Sequence, residues 1–107
     1  MSEWGGETVL LTGGASFIGS HLAEDLVAEG ASVRIADDFS SGTKANLRPI
    51  RDDIEILSGN LKRRAFADEA TEGIDTVFHL AADRWSWLHL KLSSELCDEH
   101  GIRQYRV

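Results

Sequence analysis

An open α/β fold, a parallel sheet wound on both faces, is what this chain of 107 residues predicts. Three observations carry the prediction. Short apolar runs alternate with stretches of helical length. A glycine-bearing turn, Thr12-Gly13-Gly14-Ala15-Ser16-Phe17-Ile18-Gly19, separates the first apolar run from the first helical stretch. An acidic pair, Asp37-Asp38, closes the second run. Alternation of this kind implies parallel strands joined by right-handed crossovers.

Each element has its own signal. Thr8-Val9-Leu10-Leu11 is continuous, apolar and bounded by glycine, as a buried parallel strand is. Over residues 17–29 the apolar positions Ile18, Leu22, Leu26 and Val27 recur at helical spacing, with Glu24, Asp25 and Glu29 on the other face. Gly30 is the stop signal of that helix. Residues 32–36 form the second strand and lead into Asp37-Asp38. Ser40-Ser41-Gly42 is loop chemistry, and residues 44–47 form a short helix ended by Pro49. Residues 54–57 are the third strand, followed by Gly59-Asn60. A polar helix over 63–71 turns Phe66 and Ala70 inward and closes near Gly73. Residues 76–80 are the fourth strand. Beyond Ala82, Trp85, Leu88, Leu92 and Leu96 form a stripe that predicts helix over 85–99, and 102–107 is a final short strand.

Composition narrows the function. The length suits one domain, residues 1–107, with a core of its own. The apolar fraction of 42% is globular. A net charge of -7 argues against partners that need a basic face, such as nucleic acid or an anionic membrane. Cys97 is the single cysteine, so no internal disulfide forms, which fits a reducing compartment. No run reaches the length of a membrane span and no basic-then-apolar leader opens the chain, so the expected location is the cytoplasm.

The glycine turn carries the chemistry. A strand, a glycine turn and a helix start in that order leave backbone N–H groups free at the positive end of a helix dipole, which is a seat for a pyrophosphate. Gly13 permits the tight turn, and Gly19 is expected to let the helix pack close to the sheet. The middle glycine of a G-x-x-G-x-x-G pattern is replaced by Ser16. Its Cβ narrows the phosphate path, and its hydroxyl offers a hydrogen bond or a helix cap. An ordinary helix-capping turn is the competing reading, and the placement between strand and helix weighs against it. Asp37 stands roughly 20 residues beyond the turn, where a carboxylate accepts the ribose hydroxyls of adenosine. A carboxylate repels a 2′-phosphate, so NAD is favoured. Arg34 and Lys44 keep NADP as the second choice, although Arg34 lies inside a strand and Lys44 reads as a solvated helix residue. No metal site is expected. Cys97 and His100 lack a second ligand pair, and Asp37-Asp38 coincides with the ribose position. His21 and His79 read as packing or hydrogen-bonding residues, and His89 as a surface residue.

Residues 12–22, 36–42, 59–61 and 78–82 together resemble the extended short-chain dehydrogenase/reductases. Within them the chain is similar to the NAD-dependent nucleotide-sugar epimerases and dehydratases, of the UDP-glucose 4-epimerase kind. The resemblance spans residues 8–82 and implies a Rossmann-type sheet. It implies that Phe17 and Ile18 donate amides to the pyrophosphate, and that Asp37 holds the adenosine ribose with Asp38, Ser41 and Gly42 beside it. It further implies that Asn60 and Leu61 flank the adenine, and that Leu80, Ala81 and Ala82 contact the ribose and nicotinamide half. Asn60 stands where the family has Asp, and its amide oxygen still accepts a hydrogen bond.

The family's catalytic apparatus is a Tyr-x-x-x-Lys pair with a Ser or Thr. The tyrosine exchanges a proton with the sugar hydroxyl, and the lysine lowers its pKa. Here the single tyrosine is Tyr105, the sequence ends before a lysine four residues later, and Lys44, Lys62 and Lys91 have no tyrosine at that spacing. The expectation is the NAD-binding portion of such an enzyme, with no catalytic residue of its own and a nucleotide sugar as partner only in a full-length parent. A stand-alone NAD-binding module and a non-functional truncated product are the alternatives. Oligomeric state is not specified by these residues.

Overall fold

The computed structural model describes residues 4–40, 42–60 and 62–80, together with the backbone of residues 103–106. The elements run β1 (Thr8–Thr12), α1 (Phe17–Ala28), β2 (Ser32–Asp37), a 3-10 helix (Lys44–Asp53), β3 (Ile54–Ser58), α2 (Arg64–Thr71), β4 (Thr76–His79) and β5 (Arg103–Arg106). The strands form one sheet in the order β3-β2-β1-β4-β5, and every pairing is parallel. The expected final strand is therefore present as β5. The expected helix over 85–99 lies outside the described residues.

β1 sits at the centre of the sheet and is buried on both faces, which is why it reads as a continuous apolar run. Its side chains alternate between two cores. Val9 and Leu11 join Ala23 and Leu26 of α1, Val33 and Ile35 of β2, and Leu47 and Ile50. Leu10 points to the other face, among Ala36, Ala67, Ala70, Ile74 and Val77. Val9, Leu10 and Leu11 have no exposed surface, and each contributes about 1.5–3 kcal/mol of transfer free energy. Trp4 covers the start of the sheet and lies against Phe78, with ring centroids 5.5 Å apart.

One detail differs from the sequence expectation. The segment after β2 does not end at Pro49; it runs through it as ten residues of 3-10 helix. A 3-10 turn repeats every three residues, so Leu47 and Ile50 share one side and both are buried in the first core. That anchorage outweighs the amide missing at proline. Gly19 is buried, and a Cβ there would meet Gly13 O and Gly14 Cα of the glycine turn that leaves β1. Arg34 is tied structurally: Nε donates to Glu55 Oε2 of β3 at 2.9 Å, and Nη1 donates to the carbonyls of Ala70 and Glu72 at 3.0 and 2.8 Å. A cation there suits the negative end of α2.

β2 and β4 flank β1, and the chain passes from β1 to β2 on one side and from β3 to β4 on the other. This reversal of direction opens a crevice at the carboxyl ends of the strands, where open α/β sheets take their ligands.

Candidate functional site

The crevice is built from the ends of β1, β2 and β4. Gly13 leaves β1 with φ +71°, a left-handed conformation that side chains disfavour, and its N–H donates to the Ala36 carbonyl at 2.9 Å. Ser16 then caps α1. Its Oγ accepts from Gly19 N at 3.0 Å, and its carbonyl accepts from Ser20 N at 2.8 Å. The hydroxyl is thus the helix cap that the sequence allowed. A Cβ on Gly19 would stand 2.8 Å from both Gly13 O and Gly14 Cα, so glycine is required for the first turn of α1 to lie on the glycine loop.

The cap uses the Gly19 amide and leaves those of Phe17 and Ile18 at the helix end, with no acidic side chain in the first turn. Both side chains are exposed, Phe17 at 72% and Ile18 at 64%. His21 folds back on this turn: Nδ1 is 2.8 Å from the Phe17 carbonyl, and its ring lies 4.5 Å from that of Phe17.

Asp37, at the end of β2, is buried. Oδ2 accepts from Ala15 N at 3.0 Å and Oδ1 from Phe39 N at 2.8 Å. Each oxygen carries two lone pairs, so one on each remains for a further donor. Phe39 has φ +60°, which turns its amide back to the acid. Lys44 Nζ lies 5.5 Å from the centroid of the Phe39 ring. Asp38 is exposed, and its Oδ1 accepts from Ser40 N at 2.9 Å and Ser40 Oγ at 2.7 Å. The Ser40 amide, with its hydroxyl second, holds the Asp38 carboxyl below the usual carboxylate range.

The remaining predicted positions separate into two groups. Gly42 is buried against Ala15, and Leu80 donates its amide to the Thr12 carbonyl at 3.1 Å and to Thr12 Oγ1 at 3.2 Å. Thr12 Oγ1 also meets His79 Nδ1 at 2.7 Å in the buried floor, which gives His79 the hydrogen-bonding role expected of it. Asn60 is exposed beyond β3, and its Oδ1 holds the Lys62 amide at 2.9 Å, leaving one lone pair for another donor. Ser41, Leu61, Ala81 and Ala82, like Cys97 and His100, lie outside the described residues. Among the described residues no cluster of His, Cys, Asp or Glu is arranged to hold a metal. No helix among them is long and apolar enough to cross a membrane.

Ala15 and Asn46 are participants that sequence reasoning missed. Ala15 is fully buried; its amide holds Asp37 while its carbonyl accepts from Asn46 Nδ2 at 2.8 Å and Thr43 N at 3.2 Å. No periodicity singles out either residue.

Residues 9–96 match the family described as NAD dependent epimerase/dehydratase, a span that runs past the motifs at 8–82. A UDP-N-acetyl-alpha-D-glucosaminuronate decarboxylase of Bacillus cytotoxicus is 42% identical over 73 residues, 68% of this chain and 23% of that protein. A 3 beta-hydroxysteroid dehydrogenase/Delta 5-->4-isomerase of Mycobacterium tuberculosis is 34% identical over 99 residues, 92% of this chain and 24% of that protein. The chain thus spans about a quarter of the length of these relatives. Among solved structures, an epimerase of Methanothermobacter thermautotrophicus superposes with a TM-score of 0.70 at 33% identity, over 92% of this chain and 30% of that one. The UDP-glucose 4-epimerase of Thermus thermophilus, solved in complex with NAD, superposes at 0.63 with 33% identity, over 71% of this chain and 24% of that one.

Proposed function

The chain belongs to the NAD-dependent epimerase/dehydratase family, and from that premise we propose that it is the NAD-binding portion of a nucleotide-sugar epimerase or dehydratase. One observation carries the reading: a buried carboxylate, Asp37, is fixed to the glycine loop beside the two uncommitted amides that begin α1. The groups present fit a dinucleotide. The Phe17 and Ile18 amides receive the pyrophosphate at the positive end of the helix. The free lone pairs of Asp37 accept the 2′- and 3′-hydroxyls of the adenosine ribose. Gly13, Ser16 and Gly19 shape the phosphate path, and Asp38, Ser41 and Gly42 border the ribose. Asn60 and Leu61 flank the adenine. Leu80, Ala81 and Ala82 line the nicotinamide half.

NAD is preferred to NADP on electrostatic grounds, because a 2′-phosphate beside Asp37 meets a carboxylate. Of the two cations that would favour a 2′-phosphate, Arg34 is held by Glu55 and two carbonyls, while Lys44 is exposed, with Nζ 5.5 Å from the Phe39 ring centroid. When bound, the nicotinamide ring accepts and returns a hydride. No tyrosine with a lysine four residues later lies within these 107 residues, so cofactor binding is assigned to them and proton transfer to none of them. A nucleotide sugar as the parent's substrate is supported by the UDP-sugar decarboxylase relative and the UDP-glucose 4-epimerase structure. The steroid dehydrogenase relative, aligned over 92% of this chain, favours a hydroxysteroid as the competing substrate.

The test is calorimetric titration of the purified chain. NAD binds more tightly than NADP, and Asp37→Ala removes most of that difference. Equal affinities in the unmutated chain contradict the role given to Asp37.

A further inference from the structure

Asn46 lies on the 3-10 helix, far in sequence from the glycine loop, yet its Nδ2 donates to the Ala15 carbonyl at 2.8 Å. The bond has one sense only, since a carbonyl accepts and only the amide nitrogen of asparagine donates. Thr43 N adds a longer bond to the same oxygen, at 3.2 Å. Gly42 lies flat on this peptide; a Cβ there would stand 2.6 Å from Ala15 C and 2.7 Å from Ala15 O. Ala15 is therefore gripped on both sides of its Cα. Its amide holds Asp37 Oδ2, and its carbonyl is held from the 3-10 helix. Leu47, the next residue after Asn46, is 1% exposed and anchors that helix in the core beneath.

We propose that Asn46 is a positioning residue for cofactor selection: by fixing the Ala15 peptide it sets the orientation of the Asp37 carboxylate that meets the ribose. The inference rests on the dinucleotide reading above. A donor at 46 keeps the Ala15 amide aimed at Oδ2, so that the carboxylate presents one lone pair from each oxygen to a ribose diol. Without that donor the Ala15 carbonyl keeps only the longer bond from Thr43, and the acid, still held at Oδ1 by Phe39 N, is less firmly directed at Oδ2. Discrimination between a free diol and a 2′-phosphate falls with it, because discrimination depends on where the charge sits.

Two readouts test this on the whole chain, for the unmutated protein, Asn46→Ala and Asn46→Gln. The first needs no cofactor: hydrogen exchange at the Ala15 amide, followed by NMR. It accelerates about three- to tenfold in Asn46→Ala, the loss of one hydrogen bond's net free energy. The second is the ratio of NAD to NADP affinity, which narrows by a similar factor in Asn46→Ala and returns in Asn46→Gln, where a donor is again present. Unchanged exchange at Ala15, or NAD and NADP weakened by one common factor, overturns the positioning role. An unmutated chain that binds neither cofactor overturns the dinucleotide reading, and the exchange measurement still reports whether Asn46 holds the Ala15 peptide.

Discussion

The starts of α1 and α2 are both positive helix ends with no acidic residue in the first turn, and only one of them gathers the groups of the candidate site. At α1 the cap is the neutral Ser16 hydroxyl, the third helical residue is Gly19, and a carboxylate arrives from the neighbouring strand to fix the preceding loop. At α2 the cap residue is Arg63, which makes no side-chain cap bond, the third helical residue is Phe66, and Arg64 lies 3.9 Å from Asp68 one turn on. Asn60 organises the approach to α2 by holding Lys62 N, with Arg63 N donating to the Asn60 carbonyl at 2.9 Å. The dipole is common to both ends. What distinguishes α1 is convergence: a tight glycine turn, two amides left over after capping, and an acid positioned beside them.

Changes at the start of α1 are therefore expected to act on binding and stability together, whereas a change of the α2 cap residue acts on neither. The largest effect is expected from Gly19→Ala. Alanine normally favours a helix over glycine, but here the added Cβ meets backbone atoms at 2.8 Å, so the chain loses about 1–3 kcal/mol in denaturant unfolding and NAD binding disappears in calorimetry. Next comes Ser16→Ala, which removes the cap on Gly19 N, costs about 1 kcal/mol in the same unfolding experiment and weakens NAD binding. Arg63→Ala is its control: stability stays within ~0.5 kcal/mol and NAD affinity is unchanged. A cap-sized loss at Arg63 would erase the distinction between the two helix starts.

The smallest effect concerns the rim of the site. The folded Asp38 carboxyl titrates below its unfolded value because Ser40 donates to it twice. Its contribution to stability is therefore full above the unfolded pKa and is lost as pH falls through the lower, folded one. Ser40→Ala moves the Asp38 titration, followed by NMR, up toward the ordinary carboxylate range. The resulting change in stability begins to shrink as pH falls through the unfolded pKa, about 4, and vanishes only below the lower, folded pKa, where Asp38 is neutral in both states.

Much of this architecture is legible in the residues because local and global signals agree. β1 is continuous and apolar since both its faces are buried, and Gly30 ends α1 with φ +90°. Asp37 is recognisable because an acid at the end of the second strand falls beside the glycine turn in any right-handed βαβ unit. The grip on Ala15 is not legible, because it depends on a contact between residues 31 apart whose identities follow no period. The passage of the 3-10 helix through Pro49 escapes the sequence for a similar reason. Proline is a local stop signal, but the burial of Leu47 and Ile50 is a tertiary fact. Gly19 signals close approach in the sequence; that a Cβ there would meet Gly13 O and Gly14 Cα of the loop emerges only in three dimensions.

Phe39 narrows the routes by which this chain can change. Its backbone occupies a conformation that glycine and asparagine enter readily and that β-branched residues do not, while its amide holds the acid of the site. Drift at this position is therefore channelled by backbone shape before side-chain chemistry is consulted. Valine or isoleucine, close to phenylalanine in apolar character, are barred, whereas the dissimilar asparagine passes.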